Sequence, residues 1–344
     1  MRSIAPEHRP IRLRYLQTFD NWHSWYPLLG LDRAMADAGL VAIADPQGKN
    51  GRRLARLVSK VRLMRNFRRS PHGPVFVAMM GFSEGRTLPF SYWNELVPYA
   101  FDCWPNVYGR WTGFFRRHRV RLAFFSARQS AEYFRRELPA MTSIWLPEGV
   151  DPAEYRPSQR LADRAIDVLE LGRKHDGYHA ALVAALADQG KVHRYERVPR
   201  EKIFPTRQAL TEGLATSRIS ICFPRSMTHP EDTIGVETVT HRYFESIASG
   251  CILVGHCPDE LSDLFGYNPV VEVDWGGASG QIARILADID SYQEQVDANY
   301  RRLLEVGTWR HRVAAIIEQV EASGLSASPS DPASVHDPAG TLRR

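Results

Sequence analysis

No apolar run in the 344 residues approaches the roughly 20 positions that a membrane-spanning helix needs. The opening residues, MRSIAPEHRPIRLRY, also lack the apolar centre of a secretory leader. Cysteine is scarce: Cys103, Cys222, Cys251 and Cys257 are spread along the chain, two of them inside apolar strand-like runs. That excludes a disulfide framework and predicts buried free thiols in a reducing compartment. A cytoplasmic protein is therefore expected, with attachment to the inner face of a membrane left open. Charge of one sign is not in large excess, since the net charge is only +5. Apolar and charged fractions of 44% and 24% are those of a soluble globular chain.

What is present is alternation. Residues 11–19 read as a strand, 25–40 as a helix and 41–45 as a second strand, the opening of a doubly wound sheet. A further apolar strand follows at 74–82, and 121–138 reads as strand, serine-containing turn and helix, with Ser126 and Ser130 placed to cap. Between them, 88–120 is crowded with Trp, Tyr and Phe, which suit stacking on sugar faces and suit a core at least as well. The segment SIWLPEGVDPAEYRP (143–157) carries turn residues and rigid prolines and marks a connector. Beyond it, AIDVLELGRK (165–174) and RISICFP are buried strands separated by helices. The expectation is an α/β protein of two facing Rossmann-like domains, 1–147 and 148–322. Residues 323–344, rich in Ser, Pro, Ala and Gly, are expected to be a disordered tail.

The stretch 235–258, GVETVTHRYFESIASGCILVGHCP, organises the second half. Thr238 or Thr240 would cap a helix, Gly250 would end it in a left-handed conformation, and CILVG would be a buried strand. Phe244, Ile247 and Ala248 share the face that packs on a sheet, and His241, Arg242, Glu245 and Ser249 share another. A loop-to-helix junction of this kind binds phosphates, because free N–H groups and the helix dipole point at the ligand. Glu237 in the loop and Glu245 in the helix would flank that anion.

The pattern Glu-x7-Glu, then a small-residue helix, Gly and an apolar strand, resembles the C-terminal signature of retaining GT-B glycosyltransferases. More narrowly, SICFPRS…TVTHRYFESIASGCILVGHCPDEL is similar to the spore-coat-protein-like branch of these group 1, family 4-like enzymes. The connector, with Gly-Val-Asp followed by an aromatic and a proline, resembles the same family. The resemblance implies a sugar transferase using a nucleotide-diphospho-sugar, UDP- or GDP-linked, with no other cofactor and no bound metal. It implies that Glu245 holds the ribose, that Glu237 contacts the transferred sugar, and that Arg173 of the Gly172-Arg173 pair meets the donor diphosphate. Lys174, Arg225, Thr240, His241 and Arg242 join the donor-binding candidates, Arg225 either assisting the diphosphate or pairing with Glu231 or Asp232. Retention at the anomeric carbon is implied by the family alone. Two features depart from it. The loop after the first strand is DNWHSW, with Asp20 and His23, where relatives carry a Gly-rich acceptor loop, and TVTHRYF between the glutamates has no Gly. Arg242 would substitute for the missing backbone approach.

Residues 49–69 hold nine Lys or Arg and no acid, with Leu54, Leu57, Val58, Val61, Met64 and Phe67 at helical spacing. Such a helix fits an anionic membrane surface or anionic acceptor, or docks on its own domain. Nucleic acid is disfavoured because no base-reading module accompanies it. The acceptor is expected to be a glycan, lipid or protein. A rival reading is a catalytically silent module that binds a nucleotide-sugar or anion and is tethered by this helix. His175 and His179 are four apart, a metal-binding spacing on a helix, but no third ligand is evident and both are read as non-ligands.

Overall fold

Short apolar runs that alternate with amphipathic segments suit strands covered on both faces, and every strand pairing found is parallel. The computed structural model describes residues 12–17, 26–44, 73–87, 91, 94–155, 157, 159–198 and 201–325. The loop with Asp20 and His23, the basic segment 49–69 and nearly all of the 323–344 tail lie outside the described residues.

The first sheet contains β1 (Arg14–Leu16), β2 (Val41–Ile43), β3 (Val75–Met80), β4 (Leu96–Phe101), β5 (Leu122–Phe125) and β6 (Thr142–Trp145), in the order β2-β1-β3-β4-β5-β6. The second contains β7 (Ile166–Glu170), β8 (His193–Tyr195), β9 (Ser217–Cys222), β10 (Ile252–Gly255) and β11 (Val270–Glu272), in the order β11-β10-β9-β7-β8. The helices of the first half are α1 (Tyr26–Asp37), α2 (Tyr108–His118) and α3 (Arg128–Glu137). Around the second sheet lie α4 (Asp176–Asp188), α5 (Arg207–Ala215), α6 (Arg225–Thr228), α7 (Pro230–Thr233) and α8 (His241–Ala248). Three more follow, α9 (Asp259–Phe265), α10 (Ala278–Ala287) and α11 (Gln293–Val306), before the closing α12 (Trp309–Ala322). Two facing α/β layers are thus the architecture.

One face of the first sheet is closed by α1 and α12 together, with Leu28, Leu31 and Met35 meeting Trp309, Val313 and Ile316. The last helix among the described residues therefore returns to the first sheet. The other face takes the aromatic block: Trp111, Phe114 and Phe115 of α2 pack with Phe125 and with Phe134 of α3. Trp111 and Phe114 are fully buried, so in these residues the core use of the aromatic stretch wins over sugar stacking. All four cysteines are free and buried, as expected. Among the described residues, no helix is long and apolar enough to cross a membrane.

Gly250 has φ +67, the left-handed end of α8 predicted for it, and a Cβ there would lie 2.9 Å from the Arg164 guanidinium. At Gly255 a Cβ would fall 1.8 Å from the Cys222 carbonyl oxygen, so only glycine lets β10 finish this close to β9.

Two capping expectations are corrected. Thr240 does occupy the N-cap of α8, but its hydroxyl makes no capping bond, and the Thr238 hydroxyl donates instead to Glu260 (2.8 Å) and to the Ser126 carbonyl (3.2 Å). Ser126 and Ser130 do not cap α3 either. Ala127 holds that position, the Ser130 hydroxyl donates to the Cys103 carbonyl at 2.7 Å, and the Arg128 N–H is taken by Glu260 of the second half at 2.6 Å. In both places a tertiary partner displaces the local one.

The connector is pinned. Val150 N–H donates to the Gly307 carbonyl and Trp309 N–H to the Val150 carbonyl, so the connector and the turn leading into α12 lie side by side. Arg33 binds Asp151 at 2.9 Å and also Glu154, which Arg207 meets from the other side.

Candidate active site

Because both sheets are parallel, each delivers its loops from one edge, and these two edges face each other. Asp102 follows β4 and Ser126 follows β5; Arg173 follows β7, Arg225 follows β9 and His256 follows β10. Contacts across the gap fix the pairing of edges: Arg225 Nη1 lies 3.9 Å from Asp102, Glu237 N–H donates to Gln129 Oε1 at 2.7 Å, and Arg128 reaches Asp263 at 2.6 Å. In the second sheet β8 lies on one side of β7 and β9 on the other. The loops leaving β7 and β9 therefore diverge and open a crevice, the usual ligand position in an open α/β sheet. Arg173 and Arg225 stand at that crevice.

Arg173 is exposed to solvent, yet it sits among groups that act on its charge. Desolvation lowers its pKa first, and Arg225 and Arg242 lower it further, while Asp102 and Glu148 oppose them. Arg173 thus has two further guanidiniums, Arg225 and Arg242, within electrostatic reach, a concentration of positive charge suited to an anion. Arg225 also binds Asp232 at 2.5 Å, so both roles foreseen for it are geometrically available; Asp232, not Glu231, is its partner. Asp102 has φ +48, uncommon outside glycine, and burial raises its pKa against the pull of Arg225 and Arg173.

Deeper in the cleft, α8 is buried almost all round and not on one face alone. Glu245 is buried. Its Oε2 lies 2.7 Å from Arg242 Nη1, and its Oε1 accepts from the Tyr155 hydroxyl at 2.7 Å. Burial pushes its pKa up, but Arg242, then His241 and the Tyr155 hydroxyl, outweigh that and hold it below the ordinary value. The Glu245 carboxylate is thus ionised and oriented. His241 lies 3.7 Å from both Glu148 and Glu245, stacks on Trp309, and burial drives its pKa down to about 4. Its side chain is a neutral wall, not a cation for a phosphate.

Glu237 lies at the rim. Its Oε2 accepts from the Ser226 hydroxyl at 3.2 Å and is 3.3 Å from His256 Nε2, whose other ring nitrogen is 3.6 Å from Glu272. Lys174 is set apart from its neighbour: its ammonium donates to the Glu196 carbonyl at 2.7 Å and rests over the Tyr195 ring, at the end of β8. Arg173 turns to the cleft and Lys174 to the sheet edge.

Sequence reasoning did not single out Asp102, Glu148 or His256. Each follows or adjoins a motif that it did read: Asp102 directly after an apolar strand, Glu148 inside the connector, His256 after CILVG. Glu148 is the most perturbed. Burial first, then the charges of Asp102 and Glu245, push its pKa up to about 8, against the His241 backbone N–H and Arg173.

The pH consequence can be worked out. Glu148 keeps its proton in the folded chain up to about pH 8, whereas the unfolded glutamate loses it near 4.5, so stability falls as pH rises through that interval. His241 acts the other way. Its folded pKa of about 4 lies below the ordinary 6.5, so stability rises with pH between those values. The two oppose each other below pH 6.5, and of the two only Glu148 still titrates from there to about pH 8. Glu148→Gln should flatten the decline of Tm with pH over 6.5–8 relative to the parent chain. An equal decline in both proteins would mean that the Glu148 carboxyl is already ionised.

No protein-family model matches the chain, and no curated protein matches it by sequence. Solved structures do match in fold. Alr3699/HepE of Anabaena, determined with UDP and glucose, superposes with a TM-score of 0.55 at 11% identity, over 91% of this chain and 100% of that one. AviGT4, a glycosyltransferase of avilamycin A biosynthesis, gives a TM-score of 0.52 at 16% identity, over 91% and 97%. A glycosyltransferase from Rickettsia africae gives 0.51 at 9% identity, over 90% and 98%. At such identities the likeness concerns the fold: two parallel α/β sheets facing across a cleft, the GT-B architecture of glycosyltransferases.

Proposed function

We propose that the protein is a glycosyltransferase that moves a sugar from a UDP- or GDP-linked donor to an acceptor held against the first half of the chain. The observation that carries this reading is the pair Arg173 and Arg225 at the switch point of the second sheet, facing Asp102 across the cleft. When a glycosidic bond to a diphosphate breaks, negative charge builds on the leaving nucleoside diphosphate. Fixed cations aimed at that charge are the largest single contribution a protein makes to such a step. Arg173 takes that role, assisted by Arg225 and Arg242. Glu245, ionised and oriented, holds the ribose hydroxyls; Glu237 at the rim positions the sugar. Thr240 and His241 line the wall beside the diphosphate, and Lys174 acts only by bracing the end of β8.

The fold likeness supports this, since one of the similar structures was determined with UDP and glucose. With guanidiniums supplying the positive charge, the transfer step is metal-independent and needs no further cofactor. Retention follows the resemblance. Residues 1–147 serve the acceptor and 148–322 the donor. The acceptor is a glycan, lipid or protein, and the basic segment 49–69 favours an anionic one or an anionic membrane surface from the cytoplasmic side, with nucleic acid least favoured.

The test is donor turnover. Purified protein incubated with each of several UDP- and GDP-sugars should release nucleoside diphosphate from one of them, by slow hydrolysis where no acceptor is supplied. Binding without release from any donor, with or without extracts containing acceptors, would identify a silent nucleotide-sugar module instead.

A further inference from the structure

On the far side of β7 from the cleft is a second cluster of chemistry that the transfer reaction does not use. Glu170 ends β7, His193 begins β8, and His179 lies in the first turn of α4. In the β7–β8 register His193 is opposite Val168 and Tyr195 opposite Glu170. The side chains of Glu170 and His193 therefore share the face that α4 covers. Glu170 and His193 are more than nine-tenths buried, and His179 is half-buried. One ligand atom from each of the three lies within 4.8 Å of the others.

The internal bonding of this cluster is incomplete. His179 Nδ1 and Glu170 Oε2 are 2.6 Å apart, a good hydrogen bond. Glu170 Oε1 and His193 Nε2 are 3.5 Å apart, and neither that oxygen nor either ring nitrogen of His193 has a hydrogen-bond partner. A buried polar atom left unsatisfied keeps its desolvation penalty with nothing to offset it. Glu170 Oε1 and one ring nitrogen of His193, with the His179 imidazole beside them and the Tyr195 ring 4.7 Å from each imidazole, call for a single occupant that accepts a lone pair from one atom of each residue.

We propose that Glu170, His179 and His193 bind a divalent transition-metal ion of the zinc class, with water or solvent as the remaining ligand. Two imidazoles and a carboxylate are the donor set of such ions at four-coordinate sites. Magnesium and calcium, which prefer all-oxygen shells, fit poorly. His175 is excluded from the set, since it caps α4 by accepting from the Tyr178 N–H. The spacing of His175 and His179 is therefore coincidental, and the other ligands come from strands. The site lies outside the cleft, but Glu170 is three residues before Arg173. A metal there would join β7, β8 and α4 beneath the turn that carries Arg173, a structural role independent of the proposed transfer chemistry.

The test uses the full chain, stripped with chelator and then titrated with Zn²⁺ and, separately, Co²⁺. One equivalent of zinc should survive desalting, and Co²⁺ should give the visible absorption bands of a four- or five-coordinate ion. His193→Gln and Glu170→Gln should each weaken zinc binding by more than about 100-fold, since even changes around a ligand cost 10–100-fold. The variants are compared with the parent by circular dichroism so that loss of binding is not loss of folding; the parent's own stoichiometry and cobalt spectrum stand whatever the variants do. Failure of the parent chain to retain either ion would overturn the proposal, as would equal affinity in parent and folded variants.

Discussion

Arg173→Ala is expected to lower the turnover number by about 100- to 1,000-fold, the loss seen when one preorganised group that stabilises developing charge is removed. The side chain is solvent-exposed and makes no ion pair among those found for the described residues, so folding should be little affected, within about 0.5 kcal/mol. The effect should fall on kcat more than on KM, because the diphosphate carries its full extra charge only as the sugar leaves. Arg173→Lys should recover part of the rate, since a point charge remains but the planar fork is gone. A variant that raised KM alone would make Arg173 a ground-state anchor, and the charge-stabilising role would pass to Arg225.

The second large effect concerns Glu245. This carboxylate is buried, faces Arg242 at 2.7 Å and accepts from Tyr155. Removing one partner of a buried ion pair leaves the other uncompensated and typically costs about 3–5 kcal/mol. Glu245→Ala is thus expected to destabilise the chain as well as to abolish nucleotide binding, and binding loss alone would be hard to interpret. Glu245→Gln is the milder variant: it also takes the counter-charge from Arg242, but it keeps the side-chain volume and an acceptor for the Tyr155 hydroxyl, so its nucleotide affinity is read beside its own Tm. Hydrogen bonds to a charged group contribute about 1.5–3 kcal/mol, so the glutamine variant should bind a nucleoside diphosphate about 10- to 150-fold more weakly. Unchanged affinity would mean that Glu245 serves only to hold Arg242 and Tyr155.

How far the residues themselves disclosed this differs between fold and site. The strands were legible because parallel sheets covered on both faces demand continuous apolar runs, such as VFVAMM and SRISIC, and the helices between them followed from spacing. The left-handed end of α8 at Gly250 was legible because so few residues tolerate that conformation. The caps were not. Thr238, Ser126 and Ser130 carry the correct side chains, but Glu260, distant in sequence, supplies acceptors that local reasoning cannot see.

Within the candidate site, Glu237, Glu245 and Arg173 were proposed from the resemblance of their motifs to a known family, while Asp102 and Glu148 became visible only when two edges met. A carboxylate after a strand is common, and nothing in FDCW or PEGVD announces an arginine opposite. The metal cluster was hidden for a similar reason. His179 was noticed, but its partners Glu170 and His193 are joined to it by the β7–β8 register and not by any fixed sequence interval. Arg173 and Lys174, adjacent in sequence, meet different partners, because neighbours at a turn point to different sides.

The central claim is that the crevice between β7 and β9 receives the diphosphate of a nucleotide-sugar. The most direct measurement is thermal stabilisation of the purified chain by a panel of nucleoside diphosphates, with Arg173→Ala and Glu245→Gln measured alongside. At about a hundred times its dissociation constant, the correct nucleotide should add roughly 2.7 kcal/mol to the parent chain and raise its Tm accordingly. The account predicts such a shift with one base, sharply reduced in both variants. No shift with any nucleoside diphosphate, or the same shift in all three proteins, would contradict it.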